Sequence, residues 1–195
     1  MEKGGLTAQL GAVGCRGAHG LSWGDEMRVG LIGQVRRVWA PRGVKVEQAV
    51  EYEHRWVYLN LAVNGLEGKL LWRWTPDMKA ASIAPVVAGW AEQGLAYIVW
   101  DRAPGHRGPA YRDVPVTRIE QPPYSPQLNP AERVFEYLRG HIEGHVYGTV
   151  SAKQAAVEAV LQQLAQDPTR VQCMAGWDWI RTSVDGLSQP NMASP

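Results

Sequence analysis

Four prolines fall within the nine residues PPYSPQLNP, 122–130, and the chain then runs into AERVFEYLRGHI. Proline fixes φ at about −65° and has no backbone N–H, so the stretch is excluded from the interior of a strand or helix. It reads as a rigid, largely extended loop that fixes where the next element begins. Asn129 is a good N-cap, Pro130 suits the first helical position and Glu132 falls in the first turn, which predicts a helix over 130–143. Ala131, Phe135, Leu138 and Ile142 share one face of that helix and form a core-facing stripe, with Glu132 at its edge. Two uses of Glu132 fit this placement. The Asn129-x-x-Glu132 spacing approximates a capping box, and a position beside the buried face equally suits a functional acid.

The remaining segments supply a body for that helix to dock on. At 195 residues and 45% hydrophobic, the chain can bury one sizeable core, so one main domain is expected. Residues 1–20, rich in Gly and Ala without a sustained period, read as a linker or truncated tail outside the core. LSWGDEMRVGLIG (21–33) and RRVWAPRG (36–43) read as strands, and RWVYLNLAV (55–63) with GKLLWRWT (68–75) as a hairpin. A helix is expected from Ser82 to about Glu92, with Pro85 in its first turn and Gly94 ending it. LAYIVW (95–100) has the apolar bulk of a strand buried on both faces, VTRIE (116–120) is a further strand, and Ser151 caps a helix over 151–166. Residues 167–195 read as a partly disordered C-terminal extension, frayed from 186 onward. This order predicts an α/β fold: a mixed sheet with an antiparallel meander followed by parallel strands, flanked by helices.

Composition removes several function classes. Lys+Arg 20 against Asp+Glu 19 gives a net charge of +1, so any hold on nucleic acid must come from local patches. Cys15 and Cys173 form no CxxC or finger spacing, which argues against a disulfide framework or structural zinc and fits a reducing cytoplasm. No apolar run approaches the ~20 residues of a membrane span, and no signal-peptide pattern opens the chain, so no membrane partner is expected. The nine tryptophans suit core and sheet packing better than base stacking.

Two further acids stand at positions where chemistry is often found. Asp101 follows the 95–100 strand directly, a place that commonly faces a ligand crevice and as commonly caps a turn. In WGDEMR, successive side chains point to opposite faces, so only one of Asp25 and Glu26 faces a given side of the sheet.

Together, WGDEMRVG, RRVWAPRG, IVWDRAPGHRG and PPYSPQLNPAERVFEYLR, in that order over residues 21–166, resemble the catalytic domain of DDE transposases, in particular bacterial insertion-sequence members of the mariner superfamily. The last string is the most specific. The resemblance implies a ribonuclease H-like, or retroviral integrase-like, fold and a catalytic domain over 21–166. It implies Asp25, Asp101 and Glu132 as catalytic acids and ligands of Mg2+ or Mn2+, two ions in all. Two such ions clamp the attacking and leaving oxygens of a phosphodiester displacement, which cuts transposon ends and joins them to target DNA. His106, Arg102 and Asn129 are supporting residues on this reading. Arg36, Arg37, Arg42, Lys45 and Arg107 are candidate contacts to DNA phosphates. Asp101 and Glu132 are 31 positions apart, shorter than the commonest family spacing, and Arg102 stands where asparagine is usual.

Implied partners are the DNA of transposon ends and target, a second copy in a homodimer assembled on DNA, and a helix-turn-helix module from a separate or frame-shifted frame. Residues 1–20 are too short for such a module, so weak sequence-specific DNA binding by this chain alone is expected. The expected location is the bacterial cytoplasm, with nucleoid association when on DNA. Two alternatives stay open: a catalytically inactive remnant that binds DNA or dimerises, and another ribonuclease H-like nuclease.

Overall fold

A computed structural model describes residues 3–32, 39–47, 51, 53–122 and 125–188. A five-stranded sheet runs β3-β2-β1-β4-β5, with β1 (Leu21–Gly30) at its centre, β2 (Trp56–Asn64), β3 (Lys69–Thr75), β4 (Tyr97–Trp100) and β5 (Thr117–Glu120). β1 pairs antiparallel with β2, from Trp23 opposite Val63 to Gly30 opposite Trp56, and β2 continues the meander into β3. On its other side β1 runs parallel to β4, with Trp23 opposite Val99, and β4 runs parallel to β5.

Strand alternation divides the core in two. Leu21, Trp23, Met27 and Val29 join Leu61, Val99 and Ile119 under α1 (Lys3–Ala12), α3 (Ala131–Ile142), α4 (Val150–Ala165), α5 (Pro168–Ala175) and α6 (Asp178–Asp185). Ala62, Leu71, Ile98 and Trp100 face the other way, against Ile83, Val87 and Trp90 of α2 (Ala80–Ala91). The predicted stripe of α3 is fully inside: Ala131, Phe135, Leu138 and Ile142 are all buried. α4 is tied to the sheet by Glu158, whose carboxylate accepts the indole N–H of Trp72 at 2.9 Å and of Trp74 at 3.0 Å.

Several boundaries differ from the sequence expectation. α2 starts two residues before Ser82, after Lys79, and Pro85 lies inside it. α4 is capped by Thr149, whose hydroxyl accepts the Ala152 N–H at 3.1 Å, instead of by Ser151. The proline loop is not simply extended, because Pro126–Leu128 form a 3-10 turn closed by the Leu128 N–H on the Ser125 carbonyl. The strand expected over 36–43 is not formed in its described part: residues 36–38 lie outside the described residues, and Pro41 to Val44 make a turn, with Gly43 at φ 88° and Trp39 fully exposed.

The two ends need larger corrections. The described part of residues 1–20 does not lie outside the core: α1 buries Leu6 and Leu10, Cys15 follows them inside, and Thr7 Oγ1 donates to the Ser183 carbonyl of α6 at 3.0 Å. Residues 167–185 are likewise part of the body, since Val171, Ala175, Ile180 and Val184 are buried in the same core, while residues 189–195 lie outside the described residues. α5 docks so closely on the β2–β3 turn that a Cβ on Gly65 would stand 2.2 Å from the Ala175 carbonyl oxygen. Among the described residues, no helix is long and apolar enough to cross a membrane.

Leu10→Ala is therefore expected to destabilise the folded chain by about 2–5 kcal/mol, whereas Val13→Ala, at an exposed site, changes stability by no more than about 0.5 kcal/mol. Urea unfolding of the two variants checks this; equal and negligible effects would return the N-terminal segment to the status of a tail.

Candidate active site

Parallel pairing sets the first two acids side by side. Trp23 is opposite Val99; two residues further along, Asp25 continues β1 on that face, and Asp101 follows the end of β4. Neighbouring strands are about 4.8 Å apart, so the two acids come near each other at the carboxyl end of β4, and the charge of Asp101 reaches Asp25. That is the face covered by α3.

The buried side chain of Asn129 brings the third acid in. Its Nδ2 donates to the Gly24 carbonyl at 3.0 Å and to Asp25 Oδ2 at 2.9 Å, while its Oδ1 accepts the Ala131 N–H at 3.1 Å. One amide thus joins the middle of β1 to the start of α3. Pro130 has helical dihedrals, φ −65° and ψ −16°, and stands at the cap position, so the helix begins at Ala131, one residue later than Pro130. Glu132 is in the first turn, its N–H on the Asn129 carbonyl at 3.1 Å and its carboxylate 3.9 Å from Arg139 Nη1.

Charge is not evenly tolerated here. Burial pushes the Asp25 carboxyl up to about 7; the Glu26 N–H, donating to Oδ1 at 2.8 Å, opposes this, and the charges of Glu26, Glu132 and Asp101 add to it. Asp101 is held below its ordinary value by its hydrogen bond with His106, against partial burial and with help from the Ala103 N–H and Arg107. His106 lies 2.8 Å from Asp101 Oδ1 through Nδ1, and 2.9 to 3.0 Å from both Glu26 oxygens through Nε2. Burial alone would lower its pKa, but the two carboxylates outweigh it and push it up to about 10.

Asp25, Asp101, Glu132, Asn129 and His106 are thus linked by contact or charge where the middle of β1 passes the end of β4. His106 is buried rather than facing the crevice, with Glu26 as a partner that sequence reading missed. The available signal was the Asp25–Glu26 dipeptide, whose alternation sends Glu26 to the face of Trp100 and the loop after it. Arg102 pairs with Glu120 at 2.9 Å, and Arg107 donates to the Arg102 carbonyl. With Arg118 they line a cavity of about 350 Å³ beside Asp101. Arg42 and Lys45 lie in the exposed segment 39–47, Lys45 3.0 Å from Glu47; Arg36 and Arg37 lie outside the described residues.

Three carboxylates are the kind of all-oxygen donor set that hard divalent cations take, and the burial and repulsion that raise the Asp25 pKa are a cost that a cation would relieve. Among the described residues, no three His, Cys, Asp or Glu side chains are gathered tightly enough to hold one ion as they stand. Both Asp25 oxygens accept protein N–H groups, and Asp101 is turned to His106. The Glu132 side chain is 39% exposed, so turning it costs little packing, and that of Asp101 is 60% exposed.

The family model for the DDE superfamily endonucleases matches residues 20–154. No curated protein matches this chain. Among solved structures, the Mos1 strand transfer complex is 13% identical with a TM-score of 0.66, covering 96% of this chain and 61% of that one. The Mos1 mariner paired end complex with Mn is 12% identical, TM-score 0.63, covering 96% and 62%. The catalytic domain of Mos1 mariner transposase is 12% identical, TM-score 0.55, covering 97% and 95%. The fold is therefore ribonuclease H-like, as expected from the resemblance, and the chain spans about three fifths of the Mos1 chains in those complexes.

The acids predict a pH dependence. The folded-state pKa of Asp25, about 7, lies above its ordinary 3.8, so across that window the folded state holds a proton that the unfolded state has released. Metal-free stability falls as pH rises from about 4 to 7, by at most roughly 4 kcal/mol, and this contribution levels off above 7. His106 extends the decline: its contribution is complete below 6.5 and is lost as pH rises through about 10. Urea unfolding at several pH values should show Asp25→Asn losing the lower-pH slope and keeping the upper one; parallel profiles would contradict the assignment.

Proposed function

The chain belongs to the DDE superfamily endonucleases, and on that footing we propose that it is a transposase catalytic domain that cleaves DNA at transposon ends and transfers the cut strand. The reading is carried by one observation: Asp101 follows the end of β4, the parallel neighbour of β1, Glu132 stands in the first turn of α3, and the charges of both reach Asp25.

Asp25, Asp101 and Glu132 are the residues that would hold Mg2+ or Mn2+, as a pair of ions. When bound, such ions polarise the scissile phosphate and stabilise the attacking and leaving oxygens of the displacement. Asn129 keeps Asp25 fixed in place, Asp101 would offer Oδ2 while Oδ1 stays on His106, and the partly exposed Glu132 would turn toward them. Their negative charge would repel a DNA backbone, and Arg42, Lys45, Arg102 and Arg107 offset that repulsion by contacting phosphates on either side of the cut. Solved Mos1 mariner paired end complexes with Mn and with Mg support divalent-metal use and a DNA partner by analogy of fold. Assembly as a homodimer on DNA, with a helix-turn-helix module supplied by another segment or chain, completes the proposal.

Supercoiled plasmid incubated with Mn2+ tests it. The parent chain is expected to nick the plasmid, and Asp101→Asn and Glu132→Gln to lose at least about 100-fold in rate. Nicking that survives both substitutions would overturn the assigned site. A parent that titrates as a folded protein yet never nicks would instead favour the inactive remnant.

A further inference from the structure

Both nitrogens of the His106 ring face acceptors. Nε2 stands 3.0 and 2.9 Å from the Glu26 oxygens, and Nδ1 stands 2.8 Å from Asp101 Oδ1 and 3.3 Å from the Asp101 carbonyl. Carboxylates and carbonyls only accept, so each nitrogen carries a proton and the ring is an imidazolium held between two carboxylates. Its plane is set by Trp100, stacked at 4.0 Å and 6°. Its backbone is pinned by Arg118, whose Nη1 donates to the His106 carbonyl at 3.0 Å, and by Tyr111, whose hydroxyl donates to the Gly105 carbonyl at 2.7 Å. Side chains of His106 and Glu26 are 3% and 4% exposed, whereas that of Asp101 is 60% exposed. The rigid, buried part of this chain of contacts therefore ends on the one carboxylate that reaches the crevice.

We propose that Glu26 is a positioning residue for Asp101: acting through the His106 imidazolium, it fixes Asp101 Oδ1 and leaves Oδ2 for a cation. The proposal rests on the metal-site reading above. β1 then serves both aspartates, supplying Asp25 on the α3 face and steering Asp101 from the opposite face. A merely structural ion pair would have the same burial, so the test must separate stability from positioning.

Glu26→Gln, His106→Gln and the double variant are compared with the parent. His106→Gln leaves the Glu26 charge buried without its partner and Glu26→Gln leaves the imidazolium only the exposed Asp101, whereas the double change leaves two neutral amides able to hydrogen-bond each other. Thermal stability is expected to fall in the singles and recover in the double. The kcat of Mn2+-dependent nicking is expected to fall roughly 100-fold in both singles, with KM for DNA unchanged. The double variant is expected to nick no faster than His106→Gln despite its recovered stability, so the comparison survives even where a single variant folds poorly. In metal-free, DNA-free protein, exchange of the His106 Nδ1 proton followed by NMR is expected to quicken in Glu26→Gln, although that proton faces Asp101. Activity that recovers together with stability in the double, full activity of Glu26→Gln, or unchanged Nδ1 exchange would each overturn the proposal. A folded parent that never nicks removes the metal-site reading instead, and the exchange measurement still decides whether Glu26 governs the contact to Asp101.

Discussion

A buried amide, the side chain of Asn129, links the central strand to the helix that carries the third acid. It donates to the Gly24 carbonyl and the Asp25 carboxylate and accepts the first helical N–H, so β1 and α3 share one hydrogen-bonded joint. Hydrogen bonds to charged groups contribute about 1.5–3 kcal/mol, and removing this amide would leave a buried strand carbonyl without that partner. The proline loop restricts how the chain can approach the joint, and the Ala131, Phe135, Leu138 and Ile142 stripe presses the helix onto the sheet behind it.

β1 carries opposite assignments on its two faces. On the α3 side Asp25 is placed where ionisation is costly, next to two other acids; on the α2 side Glu26 meets a cationic His106 and its charge is matched. Both follow from strand alternation at adjacent positions. A fold selected for stability alone would not bury Asp25 against Glu132 and Asp101, and carboxylates kept at such cost are a common mark of a site whose stability is given up for function.

Much of this was legible in the sequence where the signals were local and strong. The α3 stripe, the β2–β3 hairpin and the apolar β4 each announced themselves through periodicity or bulk, and the four strings in order pointed to the three acids. What stayed hidden has physical reasons. α1 shows only Leu6 and Leu10 on an otherwise Gly- and Ala-rich face, and α5 and α6 are eight residues each, with single i, i+4 apolar pairs at Val171/Ala175 and Ile180/Val184. Such short segments gain their helicity from the core they join, not from their own pattern. Glu26 pairing with His106 joins residues 80 positions apart, and Asn129 contacting Asp25 joins residues 104 apart, which no local spacing encodes. Asn129 was legible as a cap, but its second role required the sheet.

Cleavage requires Asp25, Asp101 and Glu132 to close on a shared divalent cation, with Glu132 turning from Arg139 while Asp101 keeps Oδ1 on His106 and offers Oδ2. Crystals of the chain grown with Mn2+ and measured at the manganese absorption edge test this directly. The account predicts anomalous density within about 2.0–2.6 Å of oxygens from all three side chains, with Asn129 still bonded to Asp25. Manganese bound elsewhere with these carboxylates left as they stand, or no bound manganese at saturating concentration, would contradict it.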